Sequence, residues 1–369
     1  MIVPQNVSEV MEGAKKFVIE FCRIRNGERV VILADDIADP FVTDTVAQLA
    51  REVGAEVTVM WVKFSEVAYK GTPEAVYEAA KKSEKFLRLS LNTGHHTLGL
   101  NIAMAEYGCS CYSLLPATPE LLTSKAAKFP LEVINLIATK AFLRVRKAKT
   151  LRITTPKGTD LFTELNPKTW DGYPGRWLPE WGGKKFYPDY IGLVPGDTPN
   201  TFPPGACGTY PKPDTGKGVI VFDSMASVGV AKESLVVTIK DGWATQIEGG
   251  EEAEKLRGYL DPVKNPKHLA EIMFGLNPKS RINLSQKPTP LEAERHAGNT
   301  HIALGRGVGA KYPASTHFDG FVLKPTLYLD GEPIIENGRL LFLDDREVRQ
   351  CAKKYGNPDE ILEDVWEVV

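Results

Sequence analysis

The sequence predicts an α/β protein, with a parallel-sheet α/β N-terminal domain and a β-rich α+β C-terminal domain. Three observations predict the architecture. Over the first 150 residues helical and strand patterns alternate, the order that gives parallel pairing through helical crossovers. From Gly218 onward short strand patterns dominate, with Asp330-Gly331 and Asn337-Gly338 as hairpin turns. Between them, residues 163–215 lose clear periodicity and are rich in Pro, Gly and aromatics, including Trp170, Tyr173, Trp177, Trp181, Phe186, Tyr187 and Tyr190. The expected division is 1–150 and 151–369, two domains in a chain of 369 residues.

Each element has its own reason. Val10, Met11, Ala14, Phe17, Val18 and Phe21 recur at helical spacing over 8–25, and Gly27 stops that helix. Arg29 to Ala34 reads as a buried strand. A helix through Val42, Val46 and Leu49 ends at Gly54, and Glu56 to Val62 forms the next strand. A helix over 73–84 and a strand from Phe86 to Leu91 repeat the unit. Asp35-Asp36 falls where the first strand ends, the edge at which such sheets bind ligands. No Gly-x-Gly-x-x-Gly follows, so no dinucleotide is indicated, and the two acids read as caps of the next helix. Cys109-Ser110-Cys111 reads as two buried thiols on a strand. Helices at about 118–126 and 130–146 lead to a strand at Thr150 to Thr154. The aperiodic stretch, 170–190 above all, is either a lid over a binding site or a set of short strands with packed aromatics. Beyond it come the strands VIVFDS, SLVVTIK and GWATQIE and a helix at 250–259. A second helix is expected at roughly 266–274, before the strands THIALG and HFDGFVL.

Composition narrows the function. A net charge of -2, with basic residues scattered among acidic ones, gives no case for a nucleic-acid partner. Arg144, Arg146, Lys147 and Lys149 read as a solvated helix end. No apolar run approaches the roughly 18 to 20 residues that cross a bilayer, and the amphipathic N-terminus lacks the features of a signal peptide. Five scattered cysteines suit reduced thiols. A cytoplasmic enzyme is expected, and the apolar strands and hairpins of the C-terminal half make a homo-oligomer the expected assembly.

Chemistry concentrates in the histidines. The chain has six, and His268, His296, His301 and His317 fall within fifty residues. His317 and Asp319 are two apart at the start of a strand, so both side chains leave one face and can meet one metal ion. One more ligand completes a two-histidine, one-carboxylate face for ferrous iron; a zinc or manganese hydrolase can use the same groups. The plainer alternative is a histidine at a strand mouth bonded to its neighbour. His268 and Glu271, three apart on the expected helix, share a face, with Glu271 either a ligand or an orienting group behind His268. His301 sits in an apolar strand, as a core residue or as part of the site. His296 is the weakest candidate.

The segments HLAEIMFGLNPKSR, NTHIALGRG and STHFDGFVLKPTLYLDGEPIIENGRL resemble the C-terminal domain of the aminopeptidase T family of metallopeptidases. They also resemble the 2,5-dihydroxypyridine dioxygenases, which look like that fold put to another use. The likeness is densest over about 265–345 and reaches NTFPPGACGTYP at 200–211. In the peptidases a glutamate ligand follows the Pro-x-Gly of that last segment; here Ala206-Cys207 stands there. The peptidase pattern would use Glu271, His301, His317 and Asp319 in a two-metal site, and losing a bridging carboxylate weakens the case for a second cation. The dioxygenase pattern requires a histidine at 268 and implies one iron on His268, His317 and Asp319. It also implies a proton-moving histidine from the N-terminal half, for which His95-His96 is the candidate pair. The resemblance therefore implies a non-haem Fe(II) enzyme that opens a hydroxylated aromatic or N-heteroaromatic ring with O₂. Glu271 and His301 would orient ligands or substrate. The alternative is an aminopeptidase-like hydrolase with zinc, cobalt or manganese.

Overall fold

The computed structural model describes residues 6–64, 72–90, 100, 103, 106–165, 200–285, 291–305, 312, 314 and 316–366. These fall into two compact units. One comprises the described residues up to Leu131 together with 200–204, the other those from Glu132 to 165 and from Gly205 onward.

The first unit is built on the parallel sheet that the alternating pattern predicts. It contains β1 (Arg29–Asp35), β2 (Glu56–Val62), β3 (Lys85–Arg88), β4 (Ser110–Leu114) and, after the second unit has begun, β7 (Asn200–Phe202). The order is β2-β1-β3-β4-β7, parallel throughout. Central β1 is buried on both faces and reads as a continuous apolar run, whereas edge strand β2 is only partly buried. The helix Pro40–Glu52 starts where Pro40 needs no amide partner and Asp39 accepts from the Phe41 and Val42 amides. It ends before Gly54, at φ +95°. Its Val42, Val46 and Leu49 face inward, each contributing about 1.5–3 kcal/mol by burial. A charge at Val46 would undo that face.

Two expectations change here, and a third holds. The helix over 8–25 is an α-helix at Val7–Lys15 that widens into a π-helix at Lys16–Phe21, burying Phe17, Val18 and Phe21. The helix cap is Asp39, while Asp35 accepts from the Ile37 and Ala38 amides and from Ser90, and Asp36 from the Phe64 amide. A short aspartate closes a turn within two or three residues, so the acids four and five positions before the helix shape its approach. Cys109 and Cys111 are buried among Val31, Leu33 and Phe86, as expected of packed thiols.

The second unit carries a twelve-stranded antiparallel sheet among the described residues. Its strands are β5 (Thr150–Thr154), β6 (Asp160–Glu164), β8 (Ala206–Thr209), β9 (Lys217–Met225), β10 (Gly229–Lys240) and β11 (Trp243–Glu248). Then follow β12 (Leu269–Gly275), β13 (Thr300–Gly305), β14 (His317–Val322), β15 (Thr326–Leu329), β16 (Glu332–Glu336) and β17 (Arg339–Leu340). The path runs β17-β16-β15-β5-β6-β9-β14-β13-β12-β8, with β10 joining β9 and β11. Both predicted hairpin turns are present: Asp330-Gly331 and Asn337-Gly338 have positive φ at both residues. The helix expected at 250–259 forms at Glu251–Leu260.

The helix expected at 266–274 does not form; that segment is β12. LAEIMFG is a short apolar run, and over seven residues an apolar run serves a buried strand as well as a buried helix. Cross-strand partners on both sides decide it, β13 along one edge and β8 along the other.

Candidate metal centre

The site is assembled by register across β12, β13 and β14. Glu271 pairs with Ala303, and Ala303 with Asp319. Paired residues share a face of a sheet, so the two carboxylates stand on either side of a methyl group, on strands roughly 9–10 Å apart. One row toward the strand ends, Gly305 pairs with His317, and its amide donates to the His268 carbonyl at 2.8 Å. His268 and His317 thus flank a glycine as Glu271 and Asp319 flank an alanine. One row in the other direction along that face is His301, opposite Met273 and Phe321. The result is a trough whose walls are polar side chains and whose floor, Ala303 and Gly305, is nearly bare. A Cβ at Gly305 would lie 2.5 Å from the Thr316 carbonyl oxygen, with φ at +102°.

A bulge makes this possible. Leu269 pairs with Leu304 and Glu271 with Ala303, so β12 spends one extra residue there. In an unbroken strand, residues three apart point to opposite faces. The bulge cancels one alternation, returning Glu271 to the face of His268. The expectation that these two share a face is met, by a bulged strand and not by a helical turn.

His317 Nε2 is 2.9 Å from Asp319 Oδ1 and 3.9 Å from Glu271 Oε1. His301 Nε2 lies 3.5 Å from Glu271 Oε1 and 3.9 Å from Asp319 Oδ1. Glu271, His317 and Asp319 each offer a ligand atom within 4.8 Å of the others, and all three are mostly buried, with 12–16% of each side chain exposed. His268 lies outside that group of three. Its ring is 3% exposed and packs against Trp243 and Tyr312.

The donor set fits a divalent cation. Two carboxylates facing each other in a half-closed trough repel, and an ion between them converts that repulsion into attraction. Nitrogen and carboxylate donors in this proportion suit iron, zinc or manganese. The rest of the trough responds to the same concentration of negative charge. Burial alone would lower the His301 pKa, but the Glu271 carboxylate and the charges of Asp319 and Glu294 outweigh it and raise it. Glu294, on the short helix Leu291–Arg295, is pushed up to about 7 by burial, with Asp319 and Glu271 adding and His301 and Arg295 opposing.

His296 is a core residue: fully buried, its Nε2 is 3.1 Å from the Val365 carbonyl and its ring lies on Trp366. His95, His96 and the 170–190 segment lie outside the described residues. Ala206 pairs with Gly275 on the trough face of β12, and it is fully buried. Sequence reasoning missed Glu294, Trp243 and Tyr312, and the small-residue floor. The floor was visible as His-x-Ala-x-Gly within THIALG, small side chains at alternate positions of one strand. Glu294 left no such signal among the charges of LEAERH.

A sequence model of the 2,5-dihydroxypyridine 5,6-dioxygenase family matches residues 119–342, which hold every residue of the trough. The chain belongs to that family. It is 24% identical over 224 residues to the 2,5-dihydroxypyridine 5,6-dioxygenase of Pseudomonas putida KT2440, an alignment covering 56% of this chain and 58% of the relative. The fold is similar to that of 2,5-dihydroxypyridine dioxygenase from the same organism, with a TM-score of 0.70, 19% identity, and 90% and 97% of the two chains covered. It is also similar to wild-type AmpT from Thermus thermophilus, with a TM-score of 0.60, 14% identity, and 91% and 100% covered. Both parents of the resemblance are thus present at the level of fold.

Proposed function

We propose that the chain is a mononuclear Fe(II)-dependent dioxygenase that cleaves a hydroxylated N-heteroaromatic ring such as a dihydroxypyridine. The observation that carries the reading is the face shared by His268, His317 and Asp319 over the Ala303–Gly305 floor, within a chain of this family. These three side chains would hold the ion. When bound, ferrous iron would supply the activation of O₂ that ring cleavage needs, in which a ring C–C bond is broken and the two oxygen atoms of O₂ are incorporated at its carbons.

The remaining steps belong to the protein. Asp319 offsets part of the ionic charge and, 2.9 Å away, restrains the His317 ring. Glu271 and His301, 3.5 Å apart, orient ligand and substrate from the side of the trough. Partial burial limits water and strengthens each of these contacts. His95 or His96 is proposed to accept the proton of the ring hydroxyl. A small aromatic and O₂ are the proposed partners. No helix among the described residues is long and apolar enough to cross a membrane; a cytoplasmic homo-oligomer is the proposed setting.

Buried Ala206 brings no carboxylate to the trough face, which is why the hydrolytic reading is second. The test is an oxygen electrode beside an aminopeptidase assay with an aminoacyl anilide, on protein loaded with iron, zinc, cobalt or manganese. The iron form should consume O₂ in proportion to loss of a dihydroxypyridine's ultraviolet band. Anilide cleavage by another metal form, with no substrate-dependent O₂ uptake by the iron form across a panel of hydroxylated rings, would overturn the reading.

A further inference from the structure

Beside the trough three rings meet. Trp243 and His268 have centroids 5.1 Å apart at 73°, Trp243 and Tyr312 4.9 Å apart at 61°, and His268 and Tyr312 5.0 Å apart at 56°. Every pair is tilted toward the edge-to-face geometry that ring quadrupoles favour. The backbone puts two of them side by side: Trp243 bridges His268 in antiparallel fashion, with the Leu269 amide donating to the Gly242 carbonyl and the Ala244 amide to the Lys267 carbonyl. Trp243, His268, Gly305 and His317 therefore form one continuous row across four segments. Tyr312 closes the triangle from outside that row, and its hydroxyl donates to the Asp214 carboxylate, 3.0 Å from one oxygen and 3.2 Å from the other.

We propose that Trp243 and Tyr312, the latter anchored by Asp214, are positioning residues that fix the His268 ring for metal binding. The inference rests on the proposed role of His268 as a ligand. The backbone pairing of His268 sets where its side chain leaves the sheet, but leaves the rotation of its imidazole about χ1 and χ2 to be fixed by its neighbours. An imidazole left to rotate loses affinity through the entropy of ordering it. Two rings packed at edge and face remove that freedom before the ion arrives, and the Asp214 carboxylate keeps one of those rings in place. Packing against two half-buried aromatics adds an orienting constraint of the kind that hydrogen-bonded groups behind a metal-binding histidine usually supply.

The experiment is anaerobic competition between protein and a chelator for Co(II), with the visible d–d bands recorded on the full chain. Trp243→Leu and Tyr312→Leu should each weaken Co(II) binding roughly 10- to 100-fold and alter the bands. Tyr312→Phe, which keeps the ring and removes only the link to Asp214, should give a smaller loss in the same direction. Circular dichroism and thermal midpoints show whether the leucine variants fold; should they not, Tyr312→Phe and Asp214→Asn carry the test. His268→Ala separates the two levels of argument. If it loses Co(II) while the aromatic and Asp214 variants bind with parental affinity and spectrum, the positioning role is overturned and the ligand role stands. If His268→Ala itself binds as the parent does, His268 is no ligand and both fall.

Discussion

Glu271 and Asp319 occupy equivalent places on either side of Ala303, yet their proposed duties differ. Asp319 shares β14 with His317 at 2.9 Å, which is why the two are proposed to hold the same ion; Asp319→Ala should then remove most bound metal. Glu271 lies 3.5 Å from His301 and 3.9 Å from His317, placed to orient both. Glu271→Gln keeps the shape and loses the charge, and should weaken metal affinity about 10- to 100-fold. Metal titration of both variants checks this. Complete loss in Glu271→Gln would make it a direct ligand and revive the two-metal geometry, while full occupancy in Asp319→Ala would dissolve the site.

Glu294 behaves differently because it is buried. Its carboxyl, ordinarily near 4.5, is pushed up to about 7, first by burial. The folded chain then holds this proton more tightly than the unfolded chain does. The associated stability is fully present below about 4.5 and lost as pH rises through about 7. Glu294→Gln cannot ionise and escapes that loss. In urea denaturation of metal-free protein, the variant should gain on the parent steadily from pH 4.5 to 7 and hold a constant margin above. A constant difference across that window would show that Glu294 ionises as freely when folded as when unfolded.

At the scale of elements, the trough depends on two backbone devices, the bulge in β12 and the bare end of β13. Gly305→Ala tests the second. The added methyl meets the Thr316 carbonyl oxygen at 2.5 Å and the residue keeps φ near +102°. The expected cost is about 1–3 kcal/mol in stability. Metal affinity should fall as well, because Gly305 separates His268 from His317; a variant with parental midpoint and affinity would show that the floor has room to spare. The same elements show what was legible beforehand. His317-x-Asp319 could be read from strand alternation alone, because period two needs no partner. The shared face of His268 and Glu271 was reached through a helix that does not exist. A bulge depends on how β13 lies against β12, and no periodicity inside LAEIMFG records its neighbour. Trp243 and Tyr312 were invisible for the same reason: ring packing joins residues about seventy apart.

For the whole molecule, the fold class was legible because it rests on long-range statistics of pattern: helix–strand alternation before residue 150, strand alternation and Asp-Gly or Asn-Gly turns after 218. The two units bury separate cores, one around Val31, Leu33 and Phe86, another including Ile282, Leu284 and Phe321 beside His301. Every proposed ligand lies in the second unit. An ion that binds only the folded trough should therefore stabilise that unit directly. At a metal concentration one hundred times its dissociation constant the gain is about 2.7 kcal/mol, which slows exchange of amides that open with the site about a hundredfold. Hydrogen–deuterium exchange with and without metal should show that slowing in β12, β13 and β14, with the amides of β1, β2 and β3 unchanged. Equal slowing in both units would mean that they open together and that the cores are not energetically separate. No slowing in β12–β14 would mean that the ion binds elsewhere.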